Sequence, residues 1–177
     1  LKQLKMVAKQ HNILLIFDEV QTGFGRTGEM FGSDKINVEP DMVTLAKGIG
    51  GGFPLAAVVG KAEIMDSVHD AGIGSTFGAS PISCAAALGV LDVFDKDSLL
   101  EKVNKQTKIM DKSLGNIKEN FDFVGDVRGY GIMKGVEIVE NKDNKIPSKD
   151  LAMRIINNSK KNGLLLVNCG KEGNVIR

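Results

Sequence analysis

The sequence predicts an α/β fold in which part of a mostly parallel sheet is followed by a smaller α+β domain. Helix-like and strand-like stretches alternate through residues 1–96, whereas glycine-rich alternating stretches dominate the later part of the chain. With 177 residues, 42% of them apolar, the chain can bury a sizeable core. We therefore predict two domains, at 1–96 and 97–177.

The first predicted domain alternates helix and strand. Apolar residues recur at helical spacing over 1–11, and the continuous apolar run 13–17 has the length of a strand. Such a run after a helix indicates a parallel strand that is buried on both faces. Two further strands are predicted at 41–46 and 55–60, and two helices follow at 61–69 and 81–96.

The second predicted domain begins with a lysine-rich amphipathic helix over 98–120. Ser98 is predicted to cap this helix, with Glu101 three residues later completing a capping box. The stretch 121–139 alternates around glycines, which is typical of two strands joined by a tight turn. A capped helix is then predicted at 148–163, and Gly163 closes it. Two strands are predicted at 164–169 and 174–177.

Composition argues against several functional classes. The net charge of +1 gives no electrostatic indication of nucleic acid or of an anionic membrane surface, and the apolar runs are far too short to span a membrane. Two cysteines and two histidines without ligand spacing predict no metal site. We expect a cytoplasmic protein, or one of an organelle matrix, with reduced thiols. We also expect the chain to be a piece of a longer protein.

Asp18 ends the first apolar run, where burying a carboxylate is costly unless a cation meets it. In open α/β sheets functional groups collect at the carboxyl ends of strands, and Glu19 should point to the opposite side. A helix cap or an ordinary salt bridge would also explain Asp18.

Lys47 lies between a predicted strand and a cluster of glycines. Glycine permits a close backbone approach, and burial beside another cation would lower the pKa of the lysine ammonium, giving the free amine of Schiff-base chemistry. A solvated loop lysine is the alternative. The glycine cluster precedes a strand rather than opening a helix, which disfavours a dinucleotide fingerprint. Thr76, in a glycine loop, is a weaker candidate for binding a phosphate. Arg177, after an apolar run, is a weaker candidate for binding a carboxylate.

Three stretches together resemble the class III aminotransferases, which are pyridoxal-phosphate (PLP) enzymes of fold type I. They read LLIFDEVQTGFGRTG, EPDMVTLAKGIGGGFPLAAVVG and GSTFGASP followed by CAAALGVLDV. The resemblance covers essentially the whole chain. It implies that 1–96 is the C-terminal portion of the large PLP-binding domain and that 97–177 is an incomplete C-terminal small domain.

The resemblance also implies a role for each candidate residue. Lys47 would hold the cofactor as a Schiff base and move the catalytic proton, and Asp18 would pair with the pyridine nitrogen. Val20 would pack against the ring, and Gln21 would bind its phenolic oxygen. Thr76 would bind the phosphate, usually from the neighbouring subunit of a homodimer.

The implied reaction transfers an amino group from an ω-amino acid to 2-oxoglutarate. Arg177 would hold the α-carboxylate of glutamate or 2-oxoglutarate. The stretches LLLVNCGKEGNVIR and VEPDMVTLAKGIGGGFPLAAVVG most resemble those of enzymes that use 4-aminobutyrate as the donor. An acetylornithine or ornithine aminotransferase, a mutase or decarboxylase of the same fold, a non-catalytic relative, and an unrelated α/β domain with a plain ion pair are alternatives. We expect these 177 residues alone to be unstable, because a large part of the sheet and dimer surface would be exposed. We also expect them to be inactive, because the family's phosphate-cup loop would lie upstream.

Overall fold

The computed structural model describes residues 1–70 and 72–177, and it confirms the α/β class. The chain divides into two compact units, Leu1–Val103 and Asn104–Arg177. The division falls inside a long helix rather than at the loop near residue 97, where the sequence pattern changes. The assignment of each unit to a named domain of the family stays a prediction.

The first unit carries a three-stranded sheet in the order β1-β2-β3. β1 and β2 are parallel, as predicted, whereas β3 returns antiparallel to β2. The elements in chain order are α1 (Lys2–Gln10), β1 (Ile16–Asp18), α2 (Gly32–Ile36), β2 (Met42–Leu45), a 3-10 turn (Lys47–Gly50), β3 (Ala57–Gly60), α3 (Ala62–Met65) and α4 (Pro81–Lys96). A further helix, α5 (Leu99–Asn120), begins in this unit and ends in the next.

A buried carboxylate ties the elements of the first unit together. Asp41, just before β2, accepts hydrogen bonds from the ammonium groups of Lys5 at 2.9 Å and Lys61 at 2.6 Å, and from the Leu15 amide at 2.8 Å. These donors come from α1, from the residue before β1 and from the residue after β3. The bonds from Lys5 and Lys61 hold the pKa of the Asp41 carboxyl far below its usual value.

The prediction that the first strand is buried on both faces is wrong for the described residues. Ile16 in β1 is 52% exposed, and Val58 and Val59 in β3 are exposed as well. β1 and β3 are the two edge strands of this short sheet, so neither has a neighbouring strand on its outer side among residues 1–70 and 72–177.

The second unit folds around an apolar core. Its four-stranded antiparallel sheet has the order β4-β5-β7-β6, and α6 packs on it. Its elements are β4 (Val124–Tyr130), β5 (Met133–Ile138), α6 (Lys149–Lys161), β6 (Asn168–Cys169) and β7 (Val175–Ile176). The buried core cluster consists of Val124, Ile138, Ala152 and Ile176.

The helix ends differ from the predictions in detail. Ser98 has a left-handed backbone (φ 49°), which an ordinary N-cap does not adopt, and neither its side chain nor that of Glu101 bonds the start of α5 within the described part of the chain. Ser148 likewise makes no side-chain cap bond to α6. Gly163, with φ 83°, follows α6 as predicted. The predicted strand 164–169 is regular only at its last two residues.

The described residues contain neither a helix that could span a membrane nor a side-chain cluster that could hold a metal ion. No helix among them combines the length and apolar character needed to cross a membrane. No group of three or more histidine, cysteine, aspartate or glutamate side chains in the same residues could hold a metal ion.

Candidate active site

The structure brings Asp18 and Lys47 to the same edge of the first sheet. Asp18 is the last residue of β1 and lies opposite Thr44 of β2 in the parallel register. Lys47 follows three residues after Thr44, just beyond the end of β2. Because parallel strands end at the same edge, an acid and an amine lie at the edge where α/β sheets collect functional groups.

The Asp18 carboxylate is held on one side only. Its Oδ1 atom accepts the amide of Val20 at 3.0 Å and the hydroxyl of Thr44 at 3.4 Å. Oδ2 has no hydrogen-bond partner within residues 1–70 and 72–177. The side chain is exposed, so the expectation of a buried carboxylate is wrong here, because Asp18 stands at the open end of the sheet.

Lys47 begins a 3-10 turn in an uncommon backbone conformation. Its φ is 47°, a left-handed value that costs a non-glycine residue about 1 kcal/mol or more. The residue is exposed in the described chain, so the burial considered for a Schiff-base lysine is absent there. Such strain at a strand end is typical of a residue whose direction matters for function.

The loop after Asp18 packs directly against the Lys47 turn. A Cβ added to Gly48 would lie 2.8 Å from the Cβ of Phe24, so only glycine allows this approach. Phe24 itself has a left-handed backbone (φ 56°) and contacts the rings of Phe31 and Phe94 edge-on. The two motifs that the sequence singles out are therefore neighbours in space.

The other predicted residues are placed as follows. Val20 and Gln21 are half-buried in the turn that follows Asp18. Thr76 lies in an exposed turn, and no hydrogen bond links it to Asp18 among the described residues. Arg177 belongs to the second unit, where its backbone pairs with Val167 at the end of β7 (N···O 2.9 and 3.2 Å).

Sequence reasoning missed the role of Glu19. Its side chain is buried, whereas that of Asp18 is exposed, and it is hydrogen-bonded to α2. The nearby glycines at positions 23 and 32 were a usable signal, because they leave space around an acidic residue. No comparable pattern in the sequence indicated the hydrogen bond from the Thr44 hydroxyl to Asp18.

Comparison with known proteins decides the family, because the model of the family described as aminotransferase class-III matches residues 1–177. The chain belongs to the class III aminotransferases. This confirms the resemblance drawn from the three motif stretches.

Individual relatives agree with this class III assignment. The 5-aminovalerate aminotransferase of Pseudomonas aeruginosa is 44% identical over all of this chain and 42% of its own length. The 4-aminobutyrate aminotransferase of Escherichia coli is 43% identical over the same shares. The solved taurine:2-oxoglutarate aminotransferase of Bifidobacterium kashiwanohense, in complex with PLP and glutamate, superposes with a TM-score of 0.89 at 29% identity, covering 99% of this chain and 41% of that one. The chain thus spans about two fifths of the length of these relatives.

Proposed function

We propose that the full-length protein is a PLP-dependent aminotransferase that transfers an amino group from an ω-amino acid to 2-oxoglutarate. The observation that carries this proposal is the placement of Asp18 and Lys47 at the carboxyl ends of two neighbouring parallel strands. The names of the two curated relatives support 4-aminobutyrate or 5-aminovalerate as the donor. We place 4-aminobutyrate first, as the sequence motifs do.

The Asp18 carboxylate fits the protonated ring nitrogen of PLP. The bonds from Val20 and Thr44 to Oδ1 fix the orientation of the carboxylate and leave Oδ2 as an acceptor. An oriented anionic acceptor is what a pyridinium N–H needs, and a charge-assisted hydrogen bond keeps that proton in place. When bound, PLP supplies the electron sink that stabilises negative charge on the substrate carbon.

Lys47 fits the residue that attaches the cofactor and moves the proton. Its strained backbone sets the direction in which the side chain leaves the sheet edge. The ε-amine, once neutral, can act as a nucleophile and can take up and return a proton at the substrate carbon. Phe24 packed on Gly48 keeps the turn that carries this amine against the loop after Asp18.

Four further residues complete the proposal: Val20, Gln21, Thr76 and Arg177. We propose that Val20 packs on the ring, that Gln21 hydrogen-bonds its phenolic oxygen, and that Thr76 binds the phosphate of a cofactor held by the second subunit of a homodimer. Arg177 would pair with the α-carboxylate of glutamate or 2-oxoglutarate. The 86% exposure of Phe77, beside Thr76, supports an interface at this turn, since subunit contacts cover such apolar surface.

The test uses the full-length protein loaded with PLP. Borohydride reduction and peptide mapping are expected to find the cofactor on Lys47. Lys47→Ala should lose this attachment and about 10²–10⁴-fold in kcat. Asp18→Asn should keep the attachment and lose about 100-fold or more in kcat. Lys96→Ala, at an exposed lysine at the end of α4, is the control and should behave as wild type. Attachment to another lysine, or none, would overturn the proposal.

A donor panel then decides the substrate. Each of 4-aminobutyrate, 5-aminovalerate, ornithine and N-acetylornithine is offered with 2-oxoglutarate, and the highest kcat/KM is expected for 4-aminobutyrate. A preference for ornithine or N-acetylornithine would assign the protein to that group instead. Cofactor attachment without transfer from any donor would indicate a different reaction of the same family.

A further inference from the structure

Glu19 is a buried carboxylate that the proposed reaction does not use. It is 3% exposed, although it directly follows the exposed Asp18. Its Oε2 accepts the Gly32 amide at 2.9 Å, its Oε1 accepts the Ser33 amide at 2.7 Å, and the Thr22 hydroxyl also donates to it. Both carboxylate oxygens are therefore occupied by donors from the start of α2 and from the turn that follows Asp18.

The backbone of Glu19 is fixed on both sides as well. Its amide donates to the carbonyl of Thr44 at 3.0 Å, and its carbonyl accepts the amide of Gly23 at 3.0 Å. The first bond joins Glu19 to β2, directly opposite Asp18. The second closes the turn that contains Val20. Glu19 thus joins β2, the turn and α2 at a single residue.

The glycines around Glu19 leave it the necessary space. A Cβ on Gly23 would lie 2.9 Å from the Glu19 carbonyl oxygen, and a Cβ on Gly32 would lie 3.1 Å from Oε2. Either side chain would press on an atom that these bonds hold in place. The glycine content of the loop therefore serves the Glu19 contacts in addition to its turns.

The charge of Glu19 is consistent with this arrangement. Burial raises the pKa of the Glu19 carboxyl, but the hydrogen bonds from Thr22, Gly32 and Ser33 outweigh it and hold the pKa below its usual value. The group is therefore an anion at neutral pH, and an anion accepts stronger hydrogen bonds than a neutral amide does.

We propose that Glu19 is the positioning residue of the cofactor site. By anchoring the turn 20–31 to α2 and to β2, it fixes the direction of Asp18 on one side and of Val20 and Gln21 on the other. This proposal rests on the proposed function, because its consequence is the orientation of bound PLP. Glu19 would act through these contacts rather than by touching cofactor or substrate, because donors of the chain occupy both of its carboxylate oxygens.

The test compares Glu19→Gln with Asp34→Asn in the full-length protein. Glutamine has nearly the shape of glutamate, but its amide nitrogen would face the N–H of Gly32 or Ser33. Asp34 is the matched control, since its Oδ2 accepts the Phe31 amide at 3.0 Å at the same end of α2 without touching Glu19. Thr22→Val, which removes one donor only, is the milder variant in case Glu19→Gln does not fold.

Two measurements are made on each variant. Hydrogen exchange of the turn amides, in protein without cofactor, should be at least about 10-fold faster in Glu19→Gln, because a lost charged hydrogen bond weakens local structure by that order. PLP should bind at least about 10-fold more weakly, with a reduced visible circular dichroism of the bound cofactor. Asp34→Asn should stay within about threefold of wild type in both, and Thr22→Val should lie between the two.

The outcomes separate the two proposals. If wild type does not bind PLP, the proposed function fails, and hydrogen exchange alone then decides whether Glu19 anchors the turn. If wild type binds PLP and Glu19→Gln retains its affinity, its visible circular dichroism and its exchange rates, Glu19 is not a positioning residue. The same conclusion follows if Asp34→Asn shows equal losses, because any damage at the start of α2 would then suffice.

Discussion

The two units of the chain are stabilised in different ways. In the second unit the apolar side chains of Val124, Ile138 and Ala152 are almost completely buried. Its buried residues include no charged one among those described, and the ion pairs of Asp126 with Lys118 and Arg128 are partly exposed. The second unit is thus a packed apolar core with a charged exterior.

The first unit differs from the second in its buried charges. Many of its apolar side chains are exposed, whereas Glu19 and Asp41 are buried carboxylates with three hydrogen-bond donors each. Apolar packing is non-directional, but hydrogen bonds have strict geometry. The comparison indicates that the unit with the candidate site fixes the directions of its strands and turns with polar contacts. The second unit relies on its buried volume.

The largest effect is expected from a cavity in the second unit. Ile138→Ala removes a side chain that is 1% exposed, and it should lower the free energy of unfolding by about 2–5 kcal/mol. Denaturant unfolding of the full-length protein measures the loss, and faster hydrogen exchange in β4, β5 and α6 locates it. Ile146→Ala is the control, at an exposed loop position of the same unit, and should cost about 0.5 kcal/mol or less. Equal losses would contradict a core centred on Ile138.

A smaller loss of folding stability, with a distinctive pH dependence, is expected when Asp41 is replaced. Asp41→Asn keeps an acceptor for the Leu15 amide but removes the charge that the two lysines meet. Because the pKa of Asp41 is lowered in the folded protein, its contribution is complete above the ordinary value of 3.8 and is lost as the pH falls below it.

The measurement for Asp41 is the difference in unfolding midpoint between wild type and variant from about pH 6 to about pH 3. Wild type should be the more stable protein at the upper end, and the difference should shrink toward the lower end. Asp92→Asn, at an exposed carboxylate of α4, should show a small difference that hardly changes over this range. A constant difference for Asp41→Asn would show that its charge does not stabilise the first unit.

The sequence predicts the regular elements well where apolar periodicity is long. The helix 81–96 and the hairpin within 121–139 are observed as α4 and as β4 with β5, because their patterns depend on local spacing. The edge shared by Asp18 and Lys47 follows from parallel strands, which a continuous apolar run after a helix indicates even though that run is partly exposed here.

What could not be predicted depends on partners distant in sequence. The lysines on Asp41 lie 36 positions before it and 20 positions after it in the sequence, and no local pattern joins them. The left-handed backbone of Ser98 contradicts its capping propensity, since the turn from α4 into α5 determines that conformation. The exposure of Asp18 depends on which elements surround the sheet, and motif spacing carries no information about that.

The smallest change in folding stability is expected when Thr27 is replaced. This substitution tests whether every buried polar group of the first unit is hydrogen-bonded. The Thr27 hydroxyl is buried and has no hydrogen-bond partner among the described residues. A buried polar atom without a partner is unfavourable, and valine has the same shape without it. Thr27→Val in the full-length protein should therefore be as stable as wild type, or more stable by up to about 1 kcal/mol.

Thr22→Val is the matched change, because its hydroxyl donates to Glu19 and its loss should destabilise the protein. If Thr27→Val is destabilised as much as Thr22→Val, the Thr27 hydroxyl has a partner outside the described residues. The polar contacts that hold the first unit would then extend through the GFGRTG loop to that partner. A neutral or stabilising result would limit those contacts to Glu19 and Asp41 and their donors, since these are the buried carboxylates with recorded partners.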